Sequence, residues 1–424
     1  MATKIFTIEG KLNLKKFLKD SLKLGRIFFS LYFSCLNSAS ALLKWTPVAK
    51  LDFVGGQVFF EGQSTSFTGN GNWLLVPGLK FTDKFSLIPT VSGKYRRIRE
   101  VQELVGGGFL TRENFENTAS VKGIYKWNDT WKTKVKSSFK TQLVVESDDE
   151  KLGKGLYDNH KLSFGLELER TGVLFKSLRL SFDPYGVRFF RYKTLSSGTS
   201  LGAEIKSGEN TLDFNAYDTS LSAVLSLLGR FVLTGSTLFS YRPYTDQFTV
   251  TSSGQYTDDK RKDYYSLTSL GLQSHLPTFD NNVIEIESVA GLDLSYTIQK
   301  SNQHNYDAAK TKFNQKYYDY DEYSITPQLT AKFMNKLELV LSYGFTNRKY
   351  SDRVVQDTDG NYRSSLLYQN FHTVSYALKY PILYGLSVTA QGAYRKTTSN
   401  MEYEKTYRYN YHSQHYFLGL SWEY

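Results

Sequence analysis

The sequence predicts an all-β fold, a transmembrane antiparallel up-and-down β-barrel of about 16–18 strands occupying residues 42–424. Three observations predict it. Apolar and polar side chains alternate along most of the chain after residue 45, which puts one set on each face of a strand. The alternating runs last about 10–14 residues, enough for a tilted strand to cross a bilayer and about twice the length of a soluble strand. The connections between runs alternate between tight and long.

Composition agrees. The 424 residues include 32 Tyr and 29 Phe but only 5 Trp, 8 Pro and 3 Met. The mean hydropathy is negative, which excludes a helical membrane protein; in a barrel only every second strand residue faces lipid. The single cysteine, Cys35, permits neither a disulfide framework nor a cysteine metal site. Residues 1–41 carry seven of the 52 basic and two of the 41 acidic residues, so the remainder keeps a surplus of six positive charges.

The first element is a leader. Residues 11–26 are basic, residues 27–36 (IFFSLYFSCL) are apolar, and Asn37-Ser38-Ala39-Ser40-Ala41 follows. This order, with Ala39 and Ala41 at the −3 and −1 places, predicts a secretory signal cleaved after Ala41. The apolar run is too short to span a bilayer as a helix. A lipoprotein signal at Cys35 and a buried amphipathic helix are the competing readings.

The body is clearest at residues 323–346. Tyr323, Ile325, Pro327, Leu329, Ala331 and Phe333 oppose a face of Ser, Thr, Gln and Lys. Met334-Asn335-Lys336 turns the chain, and Leu337, Leu339, Leu341, Tyr343 and Phe345 resume the apolar face. The same alternation recurs near residues 85–96, 162–169, 247–256 and 386–395. Tight turns are expected at Thr82–Lys84, Asn128–Asp129, Ser207–Asn210, Pro243–Asp246 and Met334–Lys336, and long loops at 97–116, 144–159, 299–320, 351–366 and 399–411. In this scheme the apolar stretch Leu221–Phe231 falls where an external loop is wanted, as a strand or as a helical loop in the lumen.

The last ten residues, HYFLGLSWEY, place Tyr416, Leu418, Leu420, Trp422 and Tyr424 on one face. This ending resembles the terminal strand of bacterial outer-membrane barrels, which close on an aromatic residue with alternating hydrophobics before it. Phe is the commoner last residue of that class, and Tyr424 is a variant. The resemblance covers about ten residues and, with the leader, implies a bacterial outer-membrane location. It implies partnership with the barrel assembly machinery and with outer-membrane lipid, and leaves open whether copies of the chain associate.

The polar faces carry the expected function. Lys122, Lys126, Lys132, Lys134, Lys136 and Lys140 share one face around Asn128-Asp129, and Lys94 and Arg96 extend it. A lysine at the bilayer midplane costs about 2–4 kcal/mol, so this face must line the lumen. Glu167 and Glu169, and Glu285, Glu287 and Asp293, form acidic polar faces. A basic wall across from an acidic wall would set ion preference; in a packed or plugged lumen the charges would neutralise each other. The expectation is a porin-like channel for passive diffusion of small hydrophilic solutes, anions among them, with no cofactor, no metal, no catalytic residue and no nucleic-acid partner. His412 and His415 point to opposite faces of a strand, and Gly106-Gly107-Gly108 lacks the lysine of a phosphate loop. The alternatives are an adhesive surface barrel, a transport barrel for acidic polysaccharide, and a secreted carbohydrate-binding β-protein, which would be soluble without detergent.

Overall fold

The computed structural model describes residues 44–424 except 65–66, 98–99, 105–106, 112, 147–149, 174, 193–209, 228, 281–284, 335 and 405–406. The leader, with Ala39 and Ala41, lies outside the described residues, as do Ser207–Glu209 of one expected turn. Sixteen long strands carry the fold. They are β1 (Lys44–Phe60), β2 (Thr68–Lys80), β3 (Phe85–Arg96), β4 (Glu113–Lys126), β5 (Trp131–Val145), β6 (Asn159–Arg170), β7 (Phe175–Arg188) and β8 (Phe214–Leu227). They continue with β9 (Phe231–Val250), β10 (Tyr256–His275), β11 (Glu285–Ser301), β12 (Tyr320–Phe333), β13 (Glu338–Gln356), β14 (Tyr362–Leu383), β15 (Leu386–Ser399) and β16 (Tyr411–Glu423).

Each strand pairs antiparallel with the next, and β1 pairs with β16 from Lys50↔Glu423 to Phe60↔Ser413, so the sheet closes on itself. Closure satisfies the backbone groups that a bilayer cannot. Two glycines sit at this seam because the strands approach too closely for a side chain. A Cβ on Gly56 would lie 1.8 Å from the Tyr416 carbonyl oxygen, and one on Gly419 would lie 1.9 Å from that of Phe53.

The described chain begins and ends at one end of the barrel, together with most of the short turns; the other end carries the long connections and also the tight reversals at 251–255 and 357–361. The tightest turn, Tyr384-Gly385 between β14 and β15, has φ of 41° and 80°. Such a turn matches the twist of the flanking strands and suits glycine at its second place.

Register puts the apolar partners on the outside. Leu418 pairs with Gly55 and Ala390, Leu420 with Phe53 and Val388, and Trp422 with Leu51 and Leu386. Leu418 stays 63% exposed and Leu162 63% exposed, because these faces meet lipid and not a protein core. A water-soluble sandwich would bury them. Hydroxyls pair across strands on the inner face, as in Ser138–Ser163 at 2.6 Å and Ser342–Ser375 at 2.6 Å.

Aromatic rings mark both borders of the apolar band. Near the long-loop end, neighbouring strands present Tyr217 and Tyr241 (6.2 Å between rings), Tyr264 (5.1 Å from Tyr241), and Tyr323 and Phe345 (6.0 Å). Near the short-turn end lie Trp45, Trp127, Phe279, Tyr384 and Tyr424. The ten steps from Tyr323 to Phe333 correspond to about 33 Å of strand, or roughly 25 Å of height at a tilt of about 40°.

Three expectations are corrected. Pro243–Asp246 is no turn but lies within β9, at a register shift between Pro243↔Lys262 and Phe248↔Lys260; its turn-forming residues make a bulge instead. Residues 247–256 are not one strand: the chain reverses at Thr251–Gln255, where Gly254 has φ of 80°. The Ser/Thr run there happens to keep the alternation going. These two changes invert the sense of the neighbouring connections. Leu221–Leu227 is therefore the half of a spanning strand, β8, nearest the short-turn end, and a short turn follows it.

Candidate functional site: a cation-lined lumen

The lysines named from the sequence occupy the inner face of β4 and β5, with Lys122 opposite Lys136 and Lys126 opposite Lys132. Their counter-charges are next door. Lys134 Nζ lies 2.5 Å from Glu167 and 2.6 Å from Glu169, on the adjacent strand β6, and Arg179 on β7 approaches the same carboxylates at 3.9 and 3.6 Å. Lys140 pairs with Glu116 at 2.7 Å, and Glu116 is also opposite Lys94. Arg96 is opposite Asn114. Glu167 and Glu169 thus form no wall facing the lysines across the lumen; they partly neutralise the lysines in place. The strand order, which alternation does not reveal, sets their distance from the lysines. Glu285, Glu287 and Asp293 do stand on a distant strand, β11, where Glu287 is opposite Lys332 and Asp293 opposite Gly271 and Thr326.

A cavity of about 930 Å³ occupies the lumen toward the long-loop end. Eight cations line it, Lys140, Lys161, Arg242, Arg261, Arg348, Arg353, Arg395 and Arg408, against two carboxylates, Asp263 and Glu322. Only Lys140 belongs to the set named from the sequence. Closure of the barrel brings the others together from β6, β9, β10, β13, β15 and the last loop.

Two arginines carry their own counter-ions. Arg261 forks onto Asp263 at 2.8 and 2.7 Å, and Asp263 also accepts the Ser301 hydroxyl at 2.6 Å. Arg348 forks onto Glu322 at 2.8 and 2.7 Å. Lys140 and Arg408 find theirs just outside the lining, in Glu116 at 2.7 Å and Glu404 at 3.8 Å, and the others lean on aromatic faces. Lys161 Nζ sits 3.4 Å above the Tyr185 ring, Arg242 is 4.9 Å above Tyr265, and Arg395 is 5.3 Å above Phe371. Such contacts orient a cation without cancelling its charge, so the lumen keeps a positive surplus at this height.

The long connections narrow the cavity. Tyr157, Phe189, Leu212, Tyr318, Tyr407 and Tyr409 all line it. All but Tyr318, which stacks under Arg261, are held by two clusters, one around Val187, Phe189, Tyr192 and Leu212, the other around Tyr350, Val355, Leu367, Met401 and Tyr409. The connection between β5 and β6 is pinned where Asp158 accepts the Val144 N–H at 2.8 Å and meets Arg191 at 3.4 Å.

That connection also carries a pH-sensitive group. Burial, and then the Glu150 carboxylate, push the Glu146 carboxyl from an ordinary 4.5 up to about 7. The raised value favours the protonated form in the folded loop. The resulting stabilisation is full below the ordinary value and is lost as pH rises through about 7. The Tyr157–Asn159 amides should then exchange with solvent faster above neutrality, after correction for intrinsic rates. Glu146→Gln should flatten that dependence; an unchanged pH profile in the variant would exclude Glu146 as the cause.

No family model matches the sequence, and no curated protein matches it. Solved structures are similar in fold. An outer membrane protein of Vibrio cholerae, OmpT in its trimer form, superposes with a TM-score of 0.46 at 11% identity, covering 91% of this chain and 100% of that one. OccAB1 of Acinetobacter baumannii gives 0.46 at 9% identity over 89% and 96%, and OccD3 of Pseudomonas aeruginosa 0.45 at 10% over 91% and 93%. A sheet closed through β1 and β16, an apolar band on its outer face between two aromatic borders and a polar interior are the features of membrane-spanning barrels: the chain has the fold of an outer-membrane β-barrel.

Proposed function

We propose that the barrel is a channel for passive diffusion of small hydrophilic solutes and that it prefers anions. The observation that carries this is the charge of the cavity, eight cations against two carboxylates. Low-dielectric walls focus such a field, which raises the local concentration of anions and repels cations. The reading needs no cofactor and no catalytic group. It takes residues 1–41 as a leader removed during export, Tyr416, Leu418, Leu420, Trp422 and Tyr424 as the signal read by the assembly machinery, and the β4–β5 lysines as a partly neutralised lining between the cavity and the short-turn end.

The test is the current through single barrels in a planar bilayer under a salt gradient. Discrete steps are expected, with a reversal potential displaced toward the anion. Steps displaced toward the cation would overturn the preference, and a folded barrel that passes no current would overturn the channel. The intact mass of the same material reads the leader: a chain beginning at Leu42 is expected, and one retaining Met1 would refute cleavage.

A further inference from the structure

Among the cavity cations, Arg353 stands apart. It is only 4% exposed, yet it lines the cavity. One of its terminal nitrogens donates to the Tyr409 hydroxyl. The rings of Tyr317, Tyr350 and Tyr409 lie 3.9, 5.2 and 5.6 Å from its guanidinium carbon. Its Nε–H has no hydrogen-bond partner, and among the described residues no carboxylate pairs with it. Arg261 and Arg348, in the same lumen, each hold a carboxylate in both prongs. A buried guanidinium without a counter-ion is costly, and rings do not neutralise it. Arg395 repeats the arrangement in weaker form, with an unpartnered Nε beside the Phe371 ring.

The local backbone is built to present Arg353. β13 and β14 fall out of register between Lys349↔Tyr368 and Val354↔Leu366, so five residues of β13 advance against two of β14. That irregularity turns an odd-numbered residue inward on a strand whose Arg348 and Tyr350 face the lumen with even numbers. Neutral hydrogen-bonding side chains, Gln299, Thr346 and Gln369 among them, line the same cavity.

We infer that this cavity is a binding site for a sugar bearing an oxyanion group, in which Arg353 and Arg395 hold the anion, the neutral side chains meet ring hydroxyls, and the tyrosine faces meet the ring. The inference rests on the channel reading for its physiological sense, though not for its geometry. A guanidinium fork matches both carboxylate and phosphate, so both must be tried. A cavity of about 930 Å³ has the size of a small-molecule site.

The full protein, extracted in detergent, is titrated calorimetrically and, in a bilayer, tested for current block. The probes are glucuronate, glucose 6-phosphate, glucose and acetate. Glucuronate or glucose 6-phosphate should bind and block at concentrations about tenfold or more below those of glucose and acetate, and their ranking tells carboxylate from phosphate. Arg353→Gln should abolish that advantage, and Arg353→Lys, which keeps the charge but not the fork, should lose most of it. If Arg353→Gln gives no folded barrel, Arg395→Gln, with the smaller side-chain burden, should still reduce the advantage severalfold. Acidic sugars that bind no better than glucose or acetate to a conducting barrel would overturn the site and leave the channel standing. Tight binding to a barrel that passes no current would support the site and remove the channel.

Discussion

Replacing Gly419 by leucine should yield a chain that no longer forms a closed barrel. The new Cβ would fall 1.9 Å from the Phe53 carbonyl oxygen, and the same change at Gly56 would place one 1.8 Å from the Tyr416 carbonyl oxygen. Both obstacles are backbone atoms of the partner strand, which cannot turn aside as a side chain can. Relief requires separating β1 from β16, which breaks their backbone pairing as well as adding the roughly 1–3 kcal/mol that overpacking typically costs. The measurement is the mobility of unheated protein on a denaturing gel, where a closed barrel runs apart from its unfolded chain. Gly69→Ala is the control, since the nearest atom to its added Cβ, the Val54 carbonyl oxygen, is 3.9 Å away. A Gly419→Leu protein with wild-type mobility, or a Gly69→Ala protein as damaged as it, would refute the account of the seam.

The second large effect concerns selectivity. Lys161, Arg242 and Arg395 line the cavity, and none has a carboxylate within ion-pair distance among the described residues. Converting all three to glutamate changes the lining from eight cations against two carboxylates to five against five. The reversal potential should collapse toward zero. The same exchange at Lys122, Lys126 and Lys132, which do not line the cavity, should move it much less, because screening confines each charge to about 10 Å at 0.1 M salt. Equal shifts from the two triple variants would mean that the cavity does not set the preference.

Much of the barrel was legible in the sequence because lipid enforces strict alternation. A strand that slips by one residue turns every apolar side chain inward, so the runs at 323–346 and 386–395 and the terminal strand could be assigned to faces directly. Alternation fails where no lipid constrains it. Above the tyrosine border, β9 and β13 carry register shifts, and there Pro243–Asp246 imitated a turn while Arg353 changed face. The cation cluster was missed for another reason. The lysines around Asn128-Asp129 are consecutive polar positions of one hairpin and stand out in a linear reading. The arginines come from separate strands and meet only when the sheet closes. A local signal did exist: a border tyrosine followed at once by arginine, as in Tyr241-Arg242 and Tyr394-Arg395, puts the ring in the membrane border and the cation inside at the same height. Tyr95-Arg96 repeats it.

The closure through β1 and β16 also dictates the order of folding. Every other strand pair joins sequence neighbours, whereas the bond from Ser421 to Asp52 spans 369 residues. Loop-closure entropy makes so remote a pairing slow, so the sheet grows hairpin by hairpin and the seam forms last. Until then two bare edges coexist on one curved sheet, each able to template pairing with another chain. The terminal aromatic strand is one of those edges. Whatever shelters it during that interval decides whether the chain closes upon itself or aggregates with its neighbours.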